Sequence, residues 1–494
     1  MTSDRNEQQA EEQQKSPTRD EWARNFSEWF DKILDDAEIV DFRYPLKGAG
    51  VWRPFGFKLR KYTYEILRTL HDQTGHDEAL FPLLIPEAEF LKEAQHIRGF
   101  EKQVYWVTRG GTDELEVPLV LRPTSETSIY PMYHLWVRSH ADLPLKLYQV
   151  VSTFRYETKH TRPLLRVREL TSFKEAHTVH ASYEELEQQI QEAVGIYARF
   201  FDELGIPYLI TRRPEWDKFA GAEYSIAFDT ILPDGRTLQI GTVHNLGTNF
   251  AKAFDIKFET RDGKSQWAYQ SCYGISERCI AATLIVHGDD HGLVFPPKVA
   301  PIQVIIIPIP FASLEQEINK VCDELMKELE HENIRVTVDR SEKTPGAKFF
   351  FWEMRGVPVR VEVGPTDLET NSVTLVRRDT LKREIVPRLE ATTRITDLLV
   401  RLTRDIKQRE AKFLQSRIYR VKTLEEAKEV VGQRIGVVEL PWCGLEECGK
   451  FLEEELTGSV LGTPEDLQNF EDVEGVCFAC GKRAITIMRF ARSY

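Results

Sequence analysis

The sequence predicts three folded domains: an α+β domain built on an antiparallel sheet, an α/β domain, and a small C-terminal α/β module. Short apolar strands follow one another from Tyr148 to Thr178 and again from Glu223 to Asn249, which favours an antiparallel sheet. From residue 302 onward, strands alternate with amphipathic helices, which favours a largely parallel sheet. The C-terminal module is indicated by four cysteines that cluster between residues 443 and 480.

The predicted domain boundaries follow from changes in composition. Residues 1–20 are polar and rich in Gln and Glu, so we expect a disordered tail. The α+β domain then spans residues 21–297 and ends at the Pro-rich segment "VFPPKVAP". The α/β domain spans residues 298–405, and the C-terminal module spans residues 406–494.

Three long amphipathic helices are predicted from the spacing of their apolar residues. Two of them belong to the first domain, at about residues 58–74 and 183–204. The third is rich in charged residues, covers about residues 394–417, and connects the second domain to the C-terminal module.

The overall composition excludes some classes of protein. The chain has 494 residues, a formal net charge of -13 and 41% hydrophobic residues, which is typical of a soluble folded protein. Its apolar runs are too short to cross a bilayer. Its N-terminus lacks the apolar core of a signal peptide and the acid-poor character of a transit peptide, so we expect a cytoplasmic protein without membrane contact. Net acidity argues against a general nucleic-acid coat but allows a local basic surface.

Such a local basic surface is predicted between Thr153 and His180, where two apolar runs flank an arginine-rich turn. Side chains two residues apart share one face of a strand, so Arg155 and Glu157 point the same way. On the returning strand, Glu169, Thr171, Phe173, Glu175 and His177 also share one face, whereas Arg166 falls at the end of the loop. Arginines in this arrangement suit a phosphate ligand, although a charged hairpin with solvated ion pairs has the same pattern.

The clustered cysteines predict a structural metal site. Cys443 and Cys448 are separated by four residues, and Cys477 and Cys480 form a CxxC pair. Two close pairs in a reducing compartment indicate a Cys₄ site for Zn²⁺, with free thiols or a disulfide as the alternatives. The other three cysteines, Cys272, Cys279 and Cys322, lie in apolar or helical surroundings and are expected to be buried thiols. The segment "HGDDHG" (287–292) is expected to end a helix rather than bind a metal.

Three motifs resemble those of the class II aminoacyl-tRNA synthetases. "FRYE" followed by "LLRVRE" resembles motif 2, "YGISER" before an apolar helix resembles motif 3, and "GHDEALFPLLIP" resembles motif 1, with Pro82 as its proline. "LRPTSET", "SFKEAHT", "KFAGAEYS" and "LQIGTVHNLGTNFAKAFDI" are similar to the prolyl-tRNA synthetase family in its archaeal/eukaryotic-type form. "EMRGVPVRVEVGPTD" resembles the anticodon-binding domain of that family. The resemblance covers about residues 21–494.

The resemblance implies an activity. Enzymes of this family attach L-proline to tRNA(Pro) with ATP and Mg²⁺, first forming prolyl-adenylate and pyrophosphate and then transferring proline to the 3′-terminal adenosine. It also implies a homodimer formed through motif 1. The interval from His180 to Gln239 is too short for an inserted editing domain. Because a pocket rejects a smaller substrate by only ~1–3 kcal/mol, some misactivation of alanine or cysteine is expected.

The resemblance also implies roles for individual residues. Arg155, Glu157 and Arg278 are the implied catalytic residues. The departure from the family is Phe173, where these enzymes usually have Trp. The implied ATP-binding residues are Arg155, Glu157, Arg166, Glu169, Gln239, Thr242 and Arg278. The implied proline-binding residues are Thr124, Glu126, Arg155, Phe173, His177, Phe219 and His244.

The second domain is implied to bind the anticodon of tRNA(Pro). Its mixture of charged and aromatic side chains suits the recognition of unstacked bases, although several of the aromatic residues also suit the buried face of a helix. The implied contacts are Lys348, Glu353, Arg355 and Arg360, with Arg377 and Arg378 near the phosphate backbone.

Two other functions remain open at this point. One is a different class II synthetase, such as a threonyl or glycyl enzyme. The other is a non-catalytic relative that only binds nucleic acid, such as a polymerase accessory subunit. Such a relative is expected to have lost Arg155, Glu157 or Arg278, and all three are present here.

Overall fold

The computed structural model of the protein describes residues 17–94, 103–157, 160–465 and 475–494. A sheet of eleven strands runs through the first and third domains. Its outermost pairs, at the two edges, are parallel and all the inner pairs are antiparallel, which confirms the predicted antiparallel sheet. In spatial order the strands are Ile418–Arg420, Val437–Trp442, Thr486–Ala491, Ser459–Pro464, Leu209–Arg212, Tyr224–Ile231, Thr237–Gly247, Tyr269–Ile275, Glu169–His180, Leu145–Phe154 and Asp77–Glu78.

Helices cover one face of the central strands. The helix Tyr183–Glu203 confirms the prediction for 183–204 and begins at Ser182, whose hydroxyl accepts a hydrogen bond from the backbone N–H of Glu185. The helix predicted at 58–74 begins four residues earlier, because Pro54 suits the first turn of a helix. The first-domain helices are Asp20–Arg24, Phe26–Asp36, Pro54–Asp72, Glu87–Ala94, Glu126–Trp136, Tyr183–Glu203, Asn249–Ala253 and Arg278–His287.

Three small sheets complete the first domain. The pairs Val40–Asp41 with Val51–Trp52 and Lys257–Glu259 with Ser265–Trp267 are antiparallel ribbons. A three-stranded sheet lies beside motif 1, and its strands are Leu84–Pro86, Asp113–Leu121 and Trp106–Gly110. Among the described residues, none of the helices combines the length and apolar character that crossing a membrane requires.

The second domain has a mixed sheet of five strands rather than the largely parallel sheet that we predicted. The first three strands are parallel, but Ser372–Arg377 and Arg383–Pro387 are antiparallel to their neighbours. The short connections before these two strands do not allow the crossover that parallel pairing needs. In spatial order the strands are Val336–Val338, Val304–Pro308, Val359–Val363, Ser372–Arg377 and Arg383–Pro387. The helices are Glu315–His331, Pro345–Met354 and Pro365–Glu369.

The long charged helix is Ala391–Gln415, close to its predicted position. It leads to the C-terminal module, whose helices are Leu424–Gln433 and Glu446–Leu456. The module joins the first domain edge to edge, because Thr463 and Pro464 pair with Arg212 and Thr211. This pairing makes one continuous sheet of the two domains.

The end of the predicted disordered tail belongs to the fold. Most of residues 1–20 lies outside the described residues, but the Thr18 hydroxyl donates a hydrogen bond to Asp290. Arg19 donates to the fully buried carboxylate of Glu410 at 2.7 Å. These contacts anchor the chain beside the end of the helix Arg278–His287, so the prediction of disorder was wrong for residues 18–20.

Candidate active site

A cavity of about 320 Å³ lies against the central strands of the long sheet. Residues from distant parts of the chain line it, because the sheet brings motif 2, the strand Thr237–Gly247 and the start of the motif 3 helix together. Of the residues predicted to bind ATP or proline, all except Glu169 line this one cavity. They are Thr124, Glu126, Arg155, Glu157, Arg166, Phe173, His177, Phe219, Gln239, Thr242, His244 and Arg278.

Glu169 is the exception because of a β-bulge. Val151 pairs with Phe173, but Thr153 pairs with Leu170, so the strand Glu169–His180 has one residue more than its partner in this interval. An extra residue reverses the alternation of side chains beyond it. Leu170 therefore lines the cavity in place of Glu169. The prediction that Glu169 shares the face of Phe173 was wrong, since it assumed uninterrupted alternation, and its contact with ATP stays a prediction.

Four arginines line the cavity, namely Arg155, Arg166, Arg278 and Arg213, and the last of these forms an ion pair with Asp229. Burial, together with the nearby cations Arg155 and Arg166, lowers the pKa of Arg278 to about 10. Its Nε donates a hydrogen bond to the Leu165 carbonyl at 2.9 Å. In the described parts of the chain, no carboxylate lies at ion-pair distance from the Arg278 guanidinium. Guanidinium groups held this close to one another favour an anion, and their planar donor sets match phosphate or carboxylate oxygens.

A buried acidic group lines the same cavity. The Thr124 hydroxyl lies 2.5 Å from a Glu126 oxygen and 2.8 Å from a Glu175 oxygen. Burial, and then the neighbouring Glu175, raises the pKa of Glu126 to about 7. The segment that carries these groups is fixed by Arg122, which donates to the carbonyls of Phe81 and Ser152. A cation entering the cavity would stabilise both carboxylates in their charged forms.

Glu175 was not assigned a role from the sequence. It shares the side-chain alternation of Phe173 and His177, which was the signal that could have identified it. Cys272 was interpreted only as a buried thiol, yet it lines the cavity and lies directly opposite His177 on the neighbouring strand. Cross-strand pairing of this kind cannot be derived from residue spacing alone.

The remaining wall of the cavity is apolar and aromatic. The rings of Phe219 and His244 lie 4.8 Å apart, and the Arg155 guanidinium lies 5.7 Å from the Phe173 ring. Burial lowers the pKa values of His177 and His244 to about 3, so both imidazoles are neutral at physiological pH. A neutral wall around a buried carboxylate suits a small apolar ligand that carries one positive charge.

The charged residues predicted to contact an anticodon are bound by other parts of the protein. Arg355 is buried, forms an ion pair with Glu38 of the first domain, and lies over the rings of Phe55 and Phe351. Lys348 is also buried and donates to the Asp339 carbonyl at 3.0 Å. Neither cation is available at the surface of this structure, and their contact with RNA stays a prediction.

Arg360 and the neighbouring arginines also form ion pairs within the protein. Arg360 is buried between Glu353 and Glu362, with which it forms ion pairs. Arg378 forms two hydrogen bonds with Asp289 at 2.8 and 2.6 Å, and both side chains are almost fully buried. Arg377 pairs with Asp379 and Asp405. Only Glu353 keeps partial exposure among the four predicted contacts, and its contact with a base stays a prediction.

The Asp289–Arg378 pair also explains the segment "HGDDHG". Asp289 follows the end of the helix Arg278–His287 and binds the second domain through Arg378. Asp290 accepts hydrogen bonds from the backbone N–H groups of Asp20 and Trp22. The two carboxylates connect three segments of the fold.

The four clustered cysteines converge in the C-terminal module. The sulfur atoms of Cys443, Cys448, Cys477 and Cys480 all lie within 4.8 Å of one another, and the Cys443 and Cys480 sulfurs are 3.7 Å apart. All seven cysteines belong to the described residues, and none of them forms a disulfide. Four converging thiols without another donor fit a structural Zn²⁺ ion, which such sites bind tetrahedrally.

Comparison with known proteins identifies all three domains. Residues 105–287 match the tRNA synthetase class II core domain (G, H, P, S and T), and residues 303–398 match the anticodon binding domain. Residues 424–494 match the C-terminal domain of prolyl-tRNA synthetase. The fold, the three motifs and the anticodon binding domain define a class II aminoacyl-tRNA synthetase.

Individual relatives narrow this class. The chain is 53% identical to the proline–tRNA ligase of Methanosarcina mazei over 469 residues, which is 95% of this chain and 97% of the relative. It is 54% identical to that of Methanococcoides burtonii, with the same coverage. The chain therefore belongs to the prolyl-tRNA synthetase family.

Solved structures agree with this assignment. The Giardia lamblia prolyl-tRNA synthetase in complex with prolyl-adenylate superposes with a TM-score of 0.92 and 36% identity, covering 97% of this chain and 100% of that one. The Cryptosporidium parvum enzyme, complexed with halofuginone and AMPPNP, superposes with a TM-score of 0.91 and 33% identity, covering 97% of each chain.

Proposed function

We propose that this chain attaches L-proline to the 3′-terminal adenosine of tRNA(Pro) in two ATP-dependent steps. The observation that carries the proposal is the convergence of Arg155, Arg278 and Glu126 on one cavity, which combines a site for phosphate with a site for a small cation. The membership of the chain in the prolyl-tRNA synthetase family supports the same substrate.

In the first step, the proline carboxylate attacks the α-phosphate of ATP and displaces pyrophosphate. Arg155 bridges the α-phosphate and the proline carboxylate, while Arg278 binds the γ-phosphate. Glu157 and Arg166 hold the adenine side and the outer phosphates, and Gln239 and Thr242 make further contacts with ATP. Mg²⁺ bound together with ATP would offset part of the phosphate charge. Guanidinium groups placed in advance around the phosphates stabilise the charge that develops during the attack.

Proline binds beside this phosphate site. The Glu126 carboxylate and the Thr124 hydroxyl accept the two N–H groups of the secondary ammonium. Phe173, His177 and Phe219 surround the pyrrolidine ring, with His244 near the substrate. In the second step, the terminal adenosine of tRNA(Pro) attacks the carbonyl of the adenylate, and AMP leaves.

Selectivity in this pocket is limited. A wall shaped for the pyrrolidine ring excludes larger side chains but rejects smaller ones by only ~1–3 kcal/mol. We therefore propose that alanine and cysteine are activated slowly, and that a separate protein removes the incorrect products. Deacylation of alanyl-tRNA(Pro) by this chain alone would contradict the proposal.

The assembly is proposed to be a cytoplasmic homodimer formed through motif 1. Exposed apolar side chains lie around this motif, including Leu80 at 82% exposure and Leu83, Leu84, Trp106 and Val117. Apolar patches of this kind mark protein interfaces. Sedimentation at micromolar concentration should give twice the mass of one chain, and a monomer would contradict the proposal.

The other domains have supporting roles in the proposal. The catalytic domain spans residues 21–297, the anticodon-binding domain spans 298–405, and the zinc-binding module spans 406–494. Zn²⁺ held by the four cysteines would have no open position, and it would stabilise the module without taking part in the chemistry. Elemental analysis of reduced protein should give one zinc per chain.

Exchange of labelled pyrophosphate into ATP tests the proposed activity. Exchange should depend on proline, with weaker signals for alanine and cysteine. Exchange that depends on threonine or glycine instead would indicate another class II synthetase. If no amino acid supports exchange while the protein still binds tRNA, the non-catalytic alternative would be correct.

A further inference from the structure

Three side chains at the cavity form a second group of candidate metal ligands. Glu126, His177 and Cys272 offer ligand atoms that all lie within 4.8 Å of one another, and all three residues are buried. His177 and Cys272 occupy directly opposed positions on neighbouring strands, and Glu126 is the first residue of the helix Glu126–Trp136. All three line the cavity. A carboxylate, an imidazole and a thiol together are a ligand set that zinc prefers.

His177 supplies an independent observation. Its side chain is almost fully buried, and its Nδ1 lies 3.0 Å from the Tyr130 hydroxyl. Its Nε2 has no hydrogen-bond partner in the described parts of the chain. An unpartnered buried polar atom is unusual in a folded protein. A hydrogen bond at one ring nitrogen, with the other ring nitrogen open, is the arrangement that orients a metal-binding histidine.

We propose that Zn²⁺ binds Glu126, His177 and Cys272 and thereby excludes proline from the pocket. The inference rests on the proposed function, in which Glu126 accepts the proline ammonium. Zinc bonds are about 2.0–2.3 Å long, so the proposal requires the three side chains to draw together when the ion binds. The Cys272 thiol releases its proton to solvent on binding. Because all three ligands line the cavity, a water molecule from it would take the fourth zinc position.

The proposal predicts which substrate competes with Zn²⁺ for binding. The three ligands lie at the proposed proline site, whereas the groups proposed to bind ATP phosphates are Arg155 and Arg278. Zn²⁺ should therefore compete with proline and not with ATP. The four-cysteine site has no role in this effect, because its ligands belong to the C-terminal module.

Cobalt binding tests the site without relying on activity. The full chain, with its four-cysteine site filled with zinc, is titrated with Co²⁺. We expect one further equivalent, with the absorption band of a cobalt–thiolate bond that saturating L-proline removes. Cys272→Ser should lose the band, whereas Cys279→Ser, a matched change at a buried thiol in the motif 3 helix, should keep it. The absence of the band, or its persistence in Cys272→Ser or under saturating proline, would overturn the proposal.

Inhibition kinetics give a second readout. Zn²⁺ should raise the apparent KM for proline in pyrophosphate exchange without changing that for ATP. Cys272→Ser should need at least tenfold more Zn²⁺ than Cys279→Ser for the same fractional inhibition, each measured against its own zinc-free rate. Equal zinc sensitivity of the two variants would also overturn the proposal. If only the zinc proposal is wrong, proline-dependent exchange without zinc is still observed. If the proposed function is wrong, that exchange is absent, so the two failures are distinguishable.

Discussion

Arg278 at the cavity and the arginines of the second domain differ in what balances their charge. At the cavity, Arg278 lies close to the cations Arg155 and Arg166, and burial and this proximity lower its pKa. In the second domain, Arg355 and Arg360 pair with carboxylates of the protein itself. Charge that the fold has not neutralised can bind an anionic ligand, whereas paired charge contributes to structure. The number of arginines in a segment therefore does not indicate a binding site.

The largest expected effect is on catalysis at the cavity. Arg155→Ala and Arg278→Ala should each lower proline-dependent pyrophosphate exchange by about 10²–10³-fold or more, because each removes a charged donor from the proposed transition state. Thermal stability should stay unchanged or rise slightly, since each change removes one of several neighbouring cations. Exchange at the native rate in either variant would show that these arginines do not bind ATP.

For the buried pair of Arg378 and Asp289, between the first and second domains, we expect lost stability and retained activity. Arg378→Ala leaves the Asp289 carboxylate buried without its partner, which typically costs about 3–5 kcal/mol of stability. Calorimetry should show a lower unfolding temperature, while exchange measured well below that temperature should persist. The matched control is Arg378→Met with Asp289→Leu, which removes both charges and should recover most of the loss. If the single change leaves stability unaffected, the pair does not hold the domains together.

The comparison also explains which features could be predicted from the sequence. The strands, the long helices and most cavity residues were predictable, because side-chain alternation and three ordered motifs are local patterns. Glu169 was misplaced because a bulge, which depends on pairing with another strand, reversed the alternation. The ion pairs of Arg355 and Arg378 were not predictable because their partners, Glu38 and Asp289, are distant in the sequence. Pairing across domains leaves no signal in residue spacing.

Two buried carboxylates, Glu277 and Glu410, should affect stability differently as pH changes. Burial raises the pKa of Glu277, beside Arg278, to about 7. For Glu410, between the domains, burial is outweighed by His287, Arg409 and Arg19, and the pKa falls to about 2. The folded protein therefore holds the Glu277 proton more tightly than the unfolded chain does, and the Glu410 proton less tightly.

The signs of the two pH effects should consequently be opposite. Ionising buried Glu277 costs stability as pH rises from about 4.5 to 7. Glu277→Gln should therefore be more stable than the native chain at pH 8, by roughly 2–3 kcal/mol, and the gain should vanish only below about pH 4.5. Glu410→Gln should be less stable at pH 7, and its deficit should shrink only as pH falls below about 4.5. Unfolding temperatures across this pH range measure both differences. If the stability of both variants, relative to the native chain, changed with pH in the same way, the predicted opposite signs would be contradicted.

The smallest expected effect concerns Arg355, and it separates a structural role from RNA recognition. If Arg355 contacted the anticodon, Arg355→Ala would weaken aminoacylation of tRNA(Pro) and leave stability unchanged. Since the guanidinium pairs with the half-exposed Glu38, we expect instead a stability loss of about 1 kcal/mol and little change in aminoacylation or exchange at low temperature. Glu38→Ala is the matched control and should have a similar effect. Because the two residues share one interaction, the double variant should lose less stability than the sum of the two single losses. Additive losses, or a selective loss of aminoacylation, would return Arg355 to the RNA-binding surface.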